Sequence, residues 1–364
     1  MKVLYIGNYK DGTGWANACI NNILALDASD VEVVPRAITF NNASGTCPQR
    51  ILELEENLES GCDICIQHTL PHLYSYNSKF KNIGFLATET SNFVESSWQN
   101  HANLMDEIWV PTNSCKSACI HSGVKKPIKV APHSLDLSDY QSEKYTQEGP
   151  KVENLLNTFN FAFIGEFIER KNLQALARAF HSEFEPDEPV NLYVKTSGQP
   201  IEYVQNYFKQ IRNGLKLRKK YKEEIVICGS LPKKDYISVL SQCHSFVMPS
   251  RGEGFCIPAL EAMSMGIPAI YTEGTGMDDF CYGNAVKSNK TPCFGALSTL
   301  DYVYTANEKW MEIDIEHLMV CMRNAFMKWK TELATQESHE ALKRAKQFSH
   351  NIVGLKLKEI LNDC

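Results

Sequence analysis

PSRGEGFCIPALEAMSMGIPAI, residues 249–270, sets a strand end, a tight turn, a glycine-containing loop and a helix start in one short stretch. Phe246–Met248 reads as the strand and Pro249-Ser250-Arg251-Gly252 as the turn. Pro258 suits the first turn of a helix, where a missing N–H costs nothing. Gly254 lets the main chain approach a ligand, and the N–H groups of Phe255 and Cys256 lead into the positive end of that helix. Glu253 belongs to the loop and Glu261 stands about two turns into the helix, where eight residues span about 12 Å. A carboxylate only accepts hydrogen bonds, so vicinal diols are its natural partners. The spacing therefore suits a nucleotide-sugar, with one of these carboxylates on sugar hydroxyls, the other on ribose hydroxyls and a diphosphate over the N–H groups between them. Arg251, Gly254, Phe255 and Cys256 join that donor-binding set. The plain alternative is a loop acid favoured by the helix dipole plus a solvated helix glutamate.

Outward from this stretch, short apolar runs alternate with amphipathic segments. Phe161–Ile164, Asn191–Lys195, Glu224–Cys228, Ser245–Met248 and Ala269–Tyr271 read as strands in the second half. Lys2–Gly7, Val31–Ile38, Asp63–Gln67, Ile83–Ala87, Glu107–Val110 and Ile128–Ala131 do so in the first, and Trp15, Cys19, Ile23 and Leu26 recur at helical spacing. Strands joined by crossover helices imply parallel sheets covered on both faces. The polar stretch Leu135–Asn157 reads as a linker. The expected organisation is α/β: a Rossmann-like domain over 1–150, a second over 151–335 facing it across a cleft, and a C-terminal helix over 336–364 packing back on the first. Ligands of open parallel sheets bind at the carboxyl ends of the strands. Backbone near Cys228–Leu231, with Gly229 and Leu231, is expected to frame a base there.

The chain has 364 residues, enough for two such cores. Its net charge of −6 gives no global pull toward nucleic acid or anionic membrane. No apolar run reaches the roughly 20 residues of a membrane span, and MKVLYIGNYK reads as a first strand and not as a secretory signal. Thirteen cysteines without metal-ligand spacing suggest free thiols in a reducing cytoplasm. Cys62 and Cys65 form a C-x-x-C whose odd separation on a strand would send them to opposite faces. Gly12-Thr13-Gly14, after the first strand, offers a helix N-terminus to a phosphate, or is simply a tight turn; Asn17 stands where a dinucleotide fingerprint needs a third glycine. Lys209, Arg212, Lys216, Arg218, Lys219, Lys220 and Lys222 form a basic stretch, expected on a helix, that is either a solvated face or a grip for nucleic-acid or lipid phosphates.

SRGEGFCIPALEAMSMGIPAI resembles the donor-site signature of retaining glycosyltransferases of family 4, which have the GT-B fold. The likeness is strongest over residues 160–280, where FAFIGEFIERKNLQALARAF is similar to the stretch that opens the family's donor domain. The resemblance implies that Arg170 and Lys171 reach the pyrophosphate and neutralise the departing group, with Glu166 where many members carry another base. Cys256 stands where many have glycine. His68, at the end of DICIQH, matches a histidine that lies near the sugar, and Glu89 ends the next strand. Each is also readable as a satisfied structural polar group. The resemblance further implies front-face attack, with the leaving phosphate taking the acceptor proton. With no D-x-D motif, Arg170, Lys171 and the helix N-terminus stand in for a metal, so no cofactor beyond the nucleotide-sugar is expected. The implied catalytic residues are His68, Glu89, Arg170, Lys171 and Glu253. The donor is expected to be UDP-linked before GDP-linked, and the acceptor a glycan, lipid, protein or hydroxylated DNA base. The rival readings are a noncatalytic nucleotide-sugar binder and, from the glycine loop alone, a nicotinamide-dependent oxidoreductase.

Overall fold

The computed structural model describes residues 1–39, 45–140, 157–218, 220–293 and 303–363. Residues 141–156 of the stretch read as a linker, and with them the 150/151 boundary, lie outside the described residues. The chain divides into two compact units. Unit 1 is Met1–Asp136 with Tyr302–Lys309 and Gln347–Cys364, and unit 2 is Leu137–Asp301 with Trp310–Lys346.

In unit 1, β1 (Lys2–Gly7), β2 (Glu32–Ala37), β3 (Ile64–His68), β4 (Lys81–Phe85), β5 (Glu107–Val110) and β6 (Ile128–Val130) form a parallel sheet in the order β2-β1-β3-β4-β5-β6. Helices α1 (Gly14–Asp27), α2 (Gln49–Glu55), α3 (Trp98–Ala102) and α4 (Asn113–His121) lie along its crossovers. Strand order reverses between β1 and β3, where Gly7 pairs with His68. The loops leaving these two strands run in opposite directions there, which opens a crevice at their carboxyl ends. Cys62 precedes β3 and does not belong to it, so the expected alternation fails. Both Cys62 and Cys65 pack against Leu4 and Val34 as unbonded thiols.

In unit 2, β7 (Phe159–Ile164), β8 (Val190–Thr196), β9 (Ile225–Cys228), β10 (Ser245–Met248), β11 (Ala269–Thr272) and β12 (Gly283–Val286) form a second parallel sheet in the order β12-β11-β10-β7-β8-β9. Its helices are α5 (Leu173–Glu183), α6 (Ile201–Leu215), α7 (Lys233–Leu240), α8 (Ile257–Ser264), α9 (Ile315–Met327) and α10 (Glu332–Lys346). Here the order reverses between β7 and β10. Every strand read from an apolar run is present. The sequence pattern missed β12 and the small sheet of β13 (Ser288–Pro292) with β14 (Lys309–Ile313). GNAV and SNKTP are mostly solvent-facing and lack the apolar run that marks a buried strand.

The C-terminal helical pattern is two helices, not one. α10 packs in unit 2, where Arg344 donates to the Phe280 carbonyl at 3.1 Å. The chain then breaks at Gln347–Ser349, Ser349 caps α11 (His350–Asn362), and Leu135 forms a parallel bridge with Ser349. α11 lies on α1 of unit 1, with Lys358 donating to the Ser29 carbonyl at 2.7 Å. Periodicity continues through such a break because the apolar spacing on either side stays helical. Among the described residues no helix is long and apolar enough to cross a membrane.

The α1–α11 contact depends on Gly354, since a Cβ there would stand 2.0 Å from the Ala25 carbonyl oxygen. Gly354→Ala is expected to cost about 1–3 kcal/mol through forced backbone shifts and to lower the thermal midpoint of unit 1. A midpoint equal to that of the unaltered protein contradicts this packing.

Candidate functional site

The adjacency of β7 and β10 brings together the loops that follow them. Leaving β7, the chain makes a short turn over Glu169–Lys171, and Asn172, left-handed at φ 54°, caps α5. Leaving β10, it runs through Ser250–Gly254 into α8. The Arg170 carbonyl accepts from the Arg251 N–H at 2.7 Å and the Ser250 hydroxyl at 3.1 Å, which stitches the loops together. Across this seam Arg170 Nη1 lies 2.9 Å and Lys171 Nζ 2.7 Å from Glu253 Oε1, and Arg170 also donates to the Gly252 carbonyl. The Lys171 stem passes over Gly165, where a Cβ would touch its Cδ at 3.4 Å.

Glu253 is 5% exposed. Burial pushes its carboxyl up, but Lys171 and Arg170, with hydrogen bonds from Lys171 and Ser250, outweigh burial and hold it below the ordinary value. Glu253 is thus held as a carboxylate between two basic side chains at the end of the sheet. Gly276 closes over it, its N–H donating to the Glu253 carbonyl at 2.8 Å. A Cβ on Gly276 would meet the Gly254 oxygen at 2.4 Å. Phe255 stacks on Phe280 with centroids 4.2 Å apart. Cys256 is buried at the start of α8, and burial pushes its thiol up to about 12.

Arg251, expected among the donor-binding residues, has its guanidinium engaged elsewhere. It meets Glu312 at 2.5 Å and Glu169 at 2.7 Å and lies over the Trp310 ring. Its side chain braces the loop, because two nearby carboxylates match its fork. Glu166 is exposed and packs across Gly198.

Glu261, on the second turn of α8, accepts from the Tyr140 hydroxyl at 2.6 Å on Oε1 and from the Tyr236 hydroxyl on Oε2. Lys195, near the end of β8, is lowered by burial, which the charge of Glu261 partly offsets. The loop with Gly229 (φ 93°) and Leu231 follows edge strand β9 and leads into α7, which carries Tyr236. Gly229 and Leu231 therefore lie on the Glu261 side of the sheet end, apart from the Arg170–Lys171–Glu253 seam. Sequence reading missed Tyr140, Tyr236 and Lys195. Tyr140 sat in a stretch read as linker, while a cation near the end of a parallel strand was a usable signal for Lys195.

Unit 1 has its own crevice at β1 and β3. Thr13 caps α1, its hydroxyl accepting from the Ala16 N–H at 3.1 Å, and Gly12 adopts φ 70°. A Cβ on Gly45 would lie 2.4 Å from the Gly12 nitrogen, so the two backbones run close together, while Gly12 itself stays exposed and Gly14 has open space beside it. His68 is 1% exposed, with Nδ1 2.6 Å from the Tyr5 hydroxyl. It stacks on Phe85 at 4.1 Å and on His133 at 5.4 Å, with Trp15 edge-on at 5.8 Å. Among the described residues its Nε2 is buried without a hydrogen-bond partner. Burial and then His133 push His68 well down, and burial pushes His133 down to about 3. Both rings are neutral. Glu89 is half-buried and accepts from the Tyr304 hydroxyl at 2.5 Å.

The basic stretch is not one helix. α6 ends at Leu215, leaving only Lys209 and Arg212 on it, and Lys219 lies outside the described residues. Lys216 takes a left-handed conformation that ends the helix. Arg212 pairs with Glu224 and Glu223, Glu224 also meets His181 at 2.5 Å, and Arg218 pairs with Glu185 at 2.8 Å. Carboxylates of the same unit thus engage both arginines of the stretch, Arg212 and Arg218.

Two Rossmann-like units, each built on a six-stranded parallel sheet, make this a GT-B fold. A solved structure of Anabaena Alr3699/HepE, in complex with UDP-glucose, superposes with a TM-score of 0.65 over 100% of both chains at 14% identity, a likeness of fold. Residues 158–289 match the family described as Glycosyl transferases group 1. The serotype-specific mannosyltransferase WbdA of Escherichia coli is 28% identical over 116 residues, 30% of this chain and 13% of the relative. The uncharacterized glycosyltransferase MJ1178 of Methanocaldococcus jannaschii is 25% identical over 174 residues, 47% of this chain and 44% of the relative. The matches thus span less than half the length of either curated relative.

Acid separates the two clusters. Below about pH 6.5 the unfolded chain binds protons that the buried His133 refuses until about 3, so the stability His133 contributes is whole above 6.5 and declines toward 3. Glu253, held below 4.5, contributes stability that is present above pH 4.5 and lost only as pH falls through its lowered value. Melting curves should fall from near pH 6.5, and less steeply for His133→Phe. A midpoint unchanged down to pH 4.5 contradicts buried neutral imidazoles.

Proposed function

We propose that the protein is a glycosyltransferase that moves a sugar from a nucleoside diphosphate to a hydroxyl acceptor, with its donor site in unit 2. The convergence of Arg170 and Lys171 on buried Glu253, at the switch point of the unit 2 sheet, carries this reading. Two cations held by one carboxylate are fixed in place where a diphosphate would depart. Preorganised charge of this kind is usually the largest catalytic term. The start of α8 adds its N–H groups and dipole to the same place. Glu253 serves first as the counter-ion that fixes both cations, and on the family 4 resemblance it would also meet sugar hydroxyls. The group 1 match over residues 158–289 covers this site.

The finer reading follows the family 4 resemblance: retention of configuration, UDP preferred over GDP, no metal, a cytoplasmic location, and His68 and Glu89 on the acceptor side. The acceptor hydroxyl oxygen bonds to the anomeric carbon as the bond from that carbon to phosphate breaks, and the hydroxyl proton passes to the leaving phosphate. His68 enters as a neutral, buried group that would place a hydroxyl and carry no charge. The free thiols accord with a reducing compartment.

Titration calorimetry with UDP and GDP, followed by donor hydrolysis and product anomer analysis, tests the proposal. Lys171→Ala leaves the Arg170–Glu253 pair in place, so it is expected to keep the fold while lowering turnover about 10²–10³-fold, as loss of one transition-state donor does. Full turnover in Lys171→Ala rejects the site. Binding without hydrolysis or transfer identifies a nucleotide-sugar binder. Activity is expected to survive EDTA; its loss, restored by a divalent cation, rejects metal independence.

A further inference from the structure

Glu261 is already held by the protein on both oxygens. The Tyr140 hydroxyl donates to Oε1 at 2.6 Å and the Tyr236 hydroxyl to Oε2. The two phenols come from separate elements, the start of unit 2 and helix α7. Tyr140 is 5% exposed and anchored in turn, since its ring lies under the Lys233 ammonium at 5.7 Å and Lys233 pairs with Asp139. Burial, with the nearby Glu261 charge, keeps the Tyr236 phenol protonated far above neutral pH, so it stays a donor and the carboxylate stays the acceptor.

One fixed donor per oxygen has a chemical consequence. A carboxylate has two acceptor positions on each oxygen, so among the described residues a single one remains on each. The side chain cannot rotate without breaking both phenol bonds. What it still offers is a matched pair of acceptor positions, side by side and fixed in direction, which suits two adjacent hydroxyls better than one. Lys195 adds positive charge near this carboxylate.

We propose that Tyr140 and Tyr236 are positioning residues that fix Glu261 as a receptor for the 2′- and 3′-hydroxyls of a ribose, so that the site selects ribonucleotides over deoxyribonucleotides. This rests on the nucleotide-sugar reading of unit 2 and assigns the tyrosines their part in it.

Calorimetric titration of the full chain with UDP and 2′-deoxy-UDP, and with GDP and 2′-deoxy-GDP, tests the assignment in the unaltered protein, Tyr140→Phe and Tyr236→Phe. The unaltered protein is expected to bind the ribonucleotide about tenfold more tightly than its 2′-deoxy form, as for a hydrogen bond to a charged group. Each phenylalanine variant is expected to weaken the ribonucleotide about three- to tenfold and to leave the deoxy form nearly unchanged, so the ratio collapses. A merely structural role would weaken both nucleotides alike and keep the ratio, which overturns the proposal. Tighter ribonucleotide binding in either variant also overturns it, because the phenol would then occupy the place of a ribose hydroxyl. If the unaltered protein binds neither UDP nor GDP, the donor-site reading fails and takes this one with it. If it binds one of them and the variants keep its ratio, only this inference fails. Thermal midpoints check the fold, and should Tyr140→Phe not fold, Tyr236→Phe alone decides.

Discussion

A carboxylate removed from water must be compensated, and at Glu253 the compensation is Arg170 and Lys171, from a loop distant in sequence. Their mutual attraction repays desolvation only if the geometry is good. That geometry comes from the parallel pairing of β7 with β10, in which Ser245 lies beside Phe161 and Phe246 beside Ala162. The pairing fixes where both loops leave the sheet, and the Arg170 carbonyl then locks one loop to the other. Gly276 removes a side chain that would intrude on the Glu253–Gly254 backbone.

The same sheet logic gives unit 1 a different chemistry. Its reversal point lies between β1 and β3, and the groups delivered there are rings: Trp15, His68, Phe85 and His133. Stacked and buried, the imidazoles lose their charge to desolvation. Unit 2 concentrates fixed charge at its crevice, and unit 1 a buried, neutral aromatic cluster that includes the His68 Nε2. A strand order only says where loops converge; the residues in the loops decide what converges.

Charge in a sequence differs from charge available to a ligand. Arg251, Arg212 and Arg218 each stand in a stretch that invites a phosphate, and each pairs with carboxylates of its own unit. Arg170 and Lys171 are paired as well, but both converge on one oxygen of the buried Glu253, at the switch point of the sheet. Position at the sheet end, more than the count of basic residues, separates this pair from a bracing arginine.

The sequence by itself determined the βα alternation, both parallel sheets and the strand–loop–helix frame around Glu253. Apolar runs, glycines and a helix-start proline act over a few residues and survive whatever packs around them. Arg170, Lys171, Glu253 and Glu261 were legible too, because a spaced motif preserves their order. Tertiary structure alone decided their partners. It bound Glu253 to the two cations, turned Arg251 toward Glu169 and Glu312, ran Gly45 close to Gly12, and brought Tyr140 and Tyr236 onto Glu261. It also broke the C-terminal pattern at Ser349 and gave its halves to different units. These outcomes depend on which strands become neighbours, and strand adjacency is a long-range property that local periodicity does not encode.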